Sequence, residues 1–311
     1  MEISPYDIAI VGSGPIGSAT AYFLSQSKKG MRIGLISAEP YPDHDSEHRA
    51  TYFYAGGSVR WHFDDPEIAR ATGLTAKFIR ECVAEGVDLA AWEDAYVFLN
   101  RGIIVPSLTV SGTKLAEYLA AEAERNGVER QQGTKLLGFE KKNGFYALRT
   151  DHGEILARKV LLALGASLEA FVPEAGFTFE KRQAFILDLP VPPERIHFPH
   201  LIMALGGGIV YIFTKQIGDQ VKMVVSQEGV VEENGDRAPQ DYFQTLQELG
   251  LVELLPFLEG AAVETVLWGF DAKNKKLKLY SPDQQLFAAA CGSAVRSSIG
   301  IGQDLAAKLM P

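Results

Sequence analysis

Hydrophobic and polar positions along this chain repeat in two periods, and the switch between them marks its elements. Residues 7–11 form a short apolar run, β-branched at Ile8, Ile10 and Val11, the pattern of a buried parallel strand. Residues 19–24 carry a helical pattern instead, and Gly30 stands where that helix should stop. An apolar run over 31–36 predicts a second strand. Asp65 followed by Pro66 predicts a helix start, an acidic cap with proline at the first position. Residues 147–164 predict a hairpin turned at Asp151, His152 and Gly153, then a strand over 159–164 ending in Gly165. Residues 206–229 alternate at Val210 and Ile212, then at Val221, Met223 and Val225. Gly218 and Asp219 lie between these sets, which predicts a second hairpin. The chain closes on a small-residue strand end and a helix over 288–309, with no internal repeat or low-complexity linker.

The join between the first strand and the first helix carries chemistry. Gly12, Gly14 and Gly17 have Gly-x-Gly-x-x-Gly spacing, with Pro15 and Ile16 between the last two. Gly12 suits a tight turn, Gly14 a close approach of backbone to a pyrophosphate, and Gly17 a close contact of helix and strand. The helix then offers free N–H groups and a positive dipole end to phosphate. A strand–turn–helix–strand unit of this kind holds NAD, NADP or FAD, or is a structural turn alone. An acid at the end of the second strand should bind ribose. Ser37 stands there, and Glu39 follows two residues later, placed either to reach the ribose or as a solvated loop acid.

Composition narrows the setting. The 311 residues are 47% hydrophobic and 22% charged, with a net charge of −9 and no long basic block. Nucleic acid and anionic membranes are excluded as general partners. The two cysteines, Cys82 and Cys291, form no CxxC and imply neither a disulfide framework nor a zinc site. No His or acid cluster has metal-ligand spacing, so no metal is expected. No secretory signal is read at the start and no apolar run would span a bilayer, which makes the cytoplasm the expected location.

Four segments in order carry a resemblance. They are the glycine turn, GGSVRWHF at 56–63, LALGAS at 162–167 and CGSAVRSSIG at 291–300. A strand, loop and amphipathic helix over 101–128 fall between the second and third. In this order the chain resembles the D-amino acid oxidase and sarcosine oxidase family of FAD enzymes. The resemblance implies an α/β fold. A doubly wound, glutathione-reductase-type FAD-binding domain (1–78, 108–178 and 281–311) interleaves with an α+β substrate domain on a large mixed sheet (79–107 and 179–280). It implies FAD held by Gly12, Gly14, Pro15, Ile16, Gly17, Ser37, Glu39, Gly56, Gly57, Ala163, Gly165, Gly292, Ser293, Ser297, Ser298, Ile299 and Gly300. No cysteine occurs at 262–270, where the family attaches flavin through Cys, and His44 and His48 are poorly spaced for attachment through His. Non-covalent FAD is therefore expected, with Cys291 packed near the isoalloxazine.

The activity implied is oxidation of a carbon–nitrogen bond in an amino acid or N-methyl amino acid by hydride transfer to flavin N5. The resulting imine hydrolyses, and electrons pass to oxygen or to a quinone or protein acceptor. Arg296 is the first candidate for the substrate carboxylate and Arg60 the second, since a guanidinium fork gives two charge-assisted bonds. Lys222 aligns with a lysine that acts on oxygen beside the flavin, and Tyr211 could cover the substrate. Each also has a structural reading, as an ion-paired or packed side chain. Two alternatives stand beside this activity: a FAD-holding subunit of a hetero-oligomeric oxidoreductase with little activity alone, and a pyridine-nucleotide dehydrogenase; a homo- or hetero-oligomer is compatible with the family reading. Asp271 and Ala272 replace the usual Arg-Pro, which leaves substrate identity open.

Overall fold

Each predicted start is fixed by a local device. Asp65 caps its helix by accepting from the amides of Glu67 and Ile68, with proline following. The first helix begins at Pro15, four residues before its helical pattern, because proline is preset for the first helical position and the Gly14 carbonyl accepts from the Ser18 amide at 2.9 Å. The computed structural model describes residues 4–27, 30–38, 57–192, 199–205, 208–217, 220–228, 239–273, 275–292 and 294–310.

The elements run β1 (Tyr6–Val11), α1 (Pro15–Ser27), β2 (Ile33–Ser37), β3 (Ser58–Arg60), α2 (Pro66–Ala84), β4 (Trp92–Phe98), β5 (Ile103–Thr109), α3 (Gly112–Arg125), β6 (Glu129–Gln132), β7 (Leu136–Lys142), β8 (Phe145–Thr150) and β9 (Gly153–Leu162). There follow α4 (Leu168–Phe171), β10 (Phe179–Asp188), β11 (His200–Leu205), β12 (Gly208–Ile217), β13 (Gln220–Glu228), α5 (Pro239–Glu248), α6 (Leu251–Leu254), β14 (Ala262–Ala272), β15 (Lys278–Tyr280), β16 (Leu286–Ala290) and α7 (Ala294–Leu309).

Two eight-stranded sheets result. The first runs β15-β16-β9-β1-β2-β6, with β7 and β8 joined through β9. Its β16, β9, β1, β2 and β6 are parallel. One face buries Ile8, Ile10, Leu35 and Leu161 against Leu24 of α1, Ala120 of α3 and Leu305 of α7. The other buries Ala9, Val11 and Val160 under Tyr146 and Leu148 of β8. Helices thus cover one side and an antiparallel meander the other. The second sheet runs β14-β10-β13-β12-β11-β4-β5-β3. The chain first enters it at β3, ahead of α2.

Alternation divides the second sheet into two unlike faces. One carries Phe185, Leu187, Leu201, Met203, Val210, Ile212, Met223 and Val225, buried against Phe243 and Leu246 of α5. The expected β12–β13 hairpin supplies four of these. The opposite face carries Tyr211, Phe213 and Val224 with Ala184 and Ile186.

Candidate active site

The glycine turn is built for close approach on one side and openness on the other. Gly12 has φ +106°, and a Cβ there would lie 2.3 Å from the Ala163 carbonyl oxygen. A Cβ on Gly17 would lie 1.8 Å from the Gly12 oxygen. The β1 and β9 ends are tied by the Ala163 amide donating to the Val11 carbonyl at 2.8 Å. Gly165 follows at φ +55°, where an added Cβ meets nothing within 4 Å. It faces open space at the C-terminal edge of the parallel strands, where ligands of such sheets dock. Helix geometry directs the Ile16 and Gly17 amides to the same end. Neither α1 nor α7 has an acid in its first turn, so both positive dipole ends are left for an anion. Ser37 lies at the end of β2, and its carbonyl accepts from the Thr134 amide at 2.8 Å.

Other expected cofactor residues also make contacts within the scaffold. A Cβ on Gly57 (φ +65°) would lie 1.9 Å from the Val110 oxygen, so this glycine admits the neighbouring strand end. On α7, Ser298 is fully buried and donates to the Val295 carbonyl. The Ile299 amide donates to Thr75 Oγ1 at 3.2 Å. A Cβ on Gly300 would sit 2.5 Å from Ala71 Cα. Ile299 and Gly300 join α7 to α2, Ser298 bonds within α7, and Ser297 beside them is buried. Gly14 and Gly292 lie in the expected turns. Glu39, Gly56 and Ser293, with His44 and His48, fall outside the described residues. Cys291 is buried, which pushes its thiol up to about 12 despite Arg296 nearby, and its Sγ donates to the Lys275 carbonyl.

The two candidate arginines lie near one aromatic ring. The Arg60 guanidinium lies 4.7 Å from the Phe63 ring centre, 5.0 Å from Tyr96 and 5.2 Å from Phe98. The Arg296 guanidinium, from the first turn of α7, lies 5.2 Å from the same Phe63 ring. One belongs to the second sheet and the other to a helix packed on the first. Asp271 stands opposite Glu180 on β10, and Ala272 is buried in the core behind the parallel sheet.

Along the Tyr211 face of the second sheet, Arg60, Ser107 and Asp94 occupy one rung of β3, β5 and β4. Tyr96 and His200 pair across β4 and β11. His200 packs edge-on to Tyr96 and Phe213, each 5.3 Å away between ring centres. Lys215 and Lys222 form a further rung of β12 and β13, on the face of Tyr211. Lys222 Nζ pairs with Glu264 Oε2 at 2.7 Å. Lys215 is half-buried, and desolvation pulls it down to about 7. Sequence reading missed Phe63, Tyr96, His200 and Lys215. The period-2 pattern of β4 held a signal, since it sets Asp94, Tyr96 and Phe98 on one face.

These residues fit a flavin dinucleotide: a glycine cradle with an open edge, two acid-free helix ends and an aromatic, cationic face opposite. The family model described as FAD dependent oxidoreductase (DAO) matches residues 7–101 and 88–308. Solved structures share the fold. L-Proline dehydrogenase from P. horikoshii superposes with a TM-score of 0.78 at 16% identity, covering 97% of this chain and 92% of that one. Glycine oxidase from Geobacillus kaustophilus gives 0.72 at 17%, covering 99% and 95%. L-α-Glycerophosphate oxidase from Mycoplasma pneumoniae, solved with FAD bound, gives 0.73 at 17%, covering 99% and 95%. No curated protein is significantly similar in sequence to this chain. With the family match running from the first strand into the closing helix, the chain belongs to the DAO family of FAD-dependent oxidoreductases, and FAD is its cofactor.

Proposed function

We propose that this enzyme oxidises the carbon–nitrogen bond of an amino acid or N-methyl amino acid. Two electrons and two protons leave the substrate: a C–H bond beside nitrogen breaks with its electron pair, and one N–H proton departs. The C=N product then takes up water and hydrolyses to an oxo acid or aldehyde, releasing ammonia or an amine. FAD, held without a covalent bond, supplies the two-electron acceptor. The observation that carries this reading is the convergence of Arg60 and Arg296 on Phe63, beside an aromatic face. A carboxylate accepts two parallel bonds from a guanidinium fork, and such a clamp orients the carbon beside nitrogen. Arg296 sits against the positive end of its own helix, an unfavourable place for a cation unless an anion joins it. Three structures of this fold are named for glycine, L-proline and iminodiacetate, all carboxylates that bear an amine. Tyr211 shares the face that would cover the substrate, and Lys222 the rung that would meet oxygen.

A second reading is favoured by the β4–β5 hairpin tip, where Leu99, Ile103 and Ile104 are exposed, Ile104 by 67%. A patch of this kind suits a FAD-holding subunit that works within a larger assembly. One experiment separates the two. The purified protein should release FAD on heating, and one member of a panel of amino acids and N-methyl amino acids should bleach its flavin anaerobically. FAD without bleaching by any member favours the subunit reading.

A further inference from the structure

The Tyr211 face of the second sheet carries a buried polar cluster that the carboxylate clamp does not use. Asp94 Oδ1 accepts from the Ala95 amide at 2.7 Å, and Asp94 Oδ2 accepts from Thr109 Oγ1 at 2.9 Å. Thr109 has one hydroxyl hydrogen, and Asp94 takes it. The contact of 3.3 Å between Thr109 Oγ1 and His200 Nε2 therefore needs its hydrogen on the histidine. This fixes His200 as the Nε2–H tautomer, with a lone pair on Nδ1. His200 is 3% exposed, and its Nδ1 has no partner among the described residues. Ser107 Oγ and Ser58 Oγ are likewise buried without partners. Both belong to this cluster: Ser58 stands opposite Thr109, and Ser107 precedes Thr109 by two residues on the same face. Buried polar atoms without partners are rare in folded proteins and mark places where a ligand or water completes the bonding.

We propose that His200 Nδ1 and Ser107 Oγ form the amine end of the substrate site, accepting hydrogen bonds from the nitrogen of a zwitterionic substrate while the Asp94 carboxylate, through Thr109, supplies the opposite charge. This rests on the reading that the face opposite the glycine cradle receives the substrate. The arrangement is polar in one sense. Arg60 shares the rung of Ser107 and Asp94, so a cation and an anion flank one position, as an amino acid requires. Burial holds His200 down to about 4, with Asp94 opposing, so at neutral pH the imidazole is uncharged and its Nδ1 remains an acceptor.

Glycine and acetate serve as probes, since they share a carboxylate and differ by the amine. Anaerobic titration of the holoenzyme, read as a flavin spectral shift or as bleaching, gives a half-saturation concentration for each. Wild type should bind glycine more tightly than acetate. His200→Ala and Ser107→Ala should each weaken glycine about ten- to hundredfold and leave acetate unchanged. His200→Asn should recover part of the loss, because its Oδ1 occupies the place of Nδ1. Nitrogen NMR of labelled histidine, assigned by difference with His200→Asn, should show the Nε2–H tautomer. A wild type that does not discriminate the probes, an equal loss for both in the variants, no loss for glycine, or an Nδ1–H tautomer overturns the proposal. Discrimination without flavin reduction by any amine would sink the oxidation reading and leave this site standing.

Discussion

Lys215 and Lys222 stand directly opposite each other across the β12–β13 ladder. Like charges in that relation repel. Glu264 neutralises Lys222, and burial pulls Lys215 down to about 7. The linkage follows from the sign of that shift. An unfolded lysine keeps its proton to about pH 10.4, so between about 7 and 10 the unfolded chain binds the extra proton, and stability climbs with pH. Lys215→Met should remove that climb and stabilise the protein most near pH 7 and below. Unfolding midpoints for both proteins across this range, taken as a difference, check it. A parallel pair of curves would place Lys215 in water.

The same rung bears on electron disposal. If Lys222 faces oxygen at the reduced cofactor, Lys222→Met should slow reoxidation and leave reduction by substrate nearly intact. Stopped-flow mixing of reduced enzyme with oxygen measures this. Equal rates in variant and wild type would take Lys222 out of the oxidative half-reaction and favour a quinone or protein acceptor.

Much of this was legible in the chain because its signals are local. The glycine turn, the Asp65 cap and the β12–β13 hairpin each declare themselves within a few residues. The Lys215–Lys222 rung was implicit too, since the two lie equally far from the turn at Gly218 and Asp219. What could not be read depends on partners distant in sequence. Ser298, Ile299 and Gly300 look like a cofactor loop in isolation. Gly300 and the Ile299 amide also meet α2, more than 200 residues earlier in the chain. His200 gives no local sign of its surroundings, because Asp94 and Thr109 reach it through the pairing of β11 with β4 and of β4 with β5. Phe63 reads in the sequence as one more apolar residue beside Arg60, although its ring lies near both arginines.

Gly165 offers a test of where the cofactor lies. Its left-handed φ of +55° would cost an alanine about 1–2 kcal/mol of stability. An added methyl meets no atom of the described residues within 4 Å, so nothing further should be lost in the apoprotein. If FAD passes over this edge, Gly165→Ala should weaken FAD by more than that backbone cost. Apoprotein stability and FAD affinity, measured side by side, separate the two effects, and equal losses would move the cofactor away from Gly165.

Gly17 should behave differently. Its Cβ would lie 1.8 Å from a backbone oxygen of the turn, where no side chain can give way. Gly17→Ala should therefore cost about 3 kcal/mol or more and lower the thermal midpoint even without cofactor. A variant with a normal midpoint that fails only to load FAD would contradict the packing role.

The arginines give the most direct test of chemistry. Arg60 and Arg296 lie against one ring, so either could hold the carboxylate, or both together. Removing one partner of a charge-assisted pair in a partly dry site costs roughly 2–5 kcal/mol, because the other is left unpaired. At about 1.4 kcal/mol per tenfold, this is about 30-fold to several thousandfold in the efficiency of flavin reduction. Arg296→Ala should show that loss with normal FAD content, and Arg296→Lys should recover part, since the charge returns without the fork. An amine lacking a carboxylate should lose little. If both arginines grip the same group, Arg60→Ala should fall in the same range, and the double variant should lose less than the sum of the two. Phe63→Leu, which removes the shared ring and keeps both charges, should weaken each by a smaller factor. If Arg296→Ala instead loses FAD, its guanidinium holds the cofactor and Arg60 is the clamp. If both single variants reduce normally, the carboxylate is bound elsewhere and the convergence on Phe63 is structural.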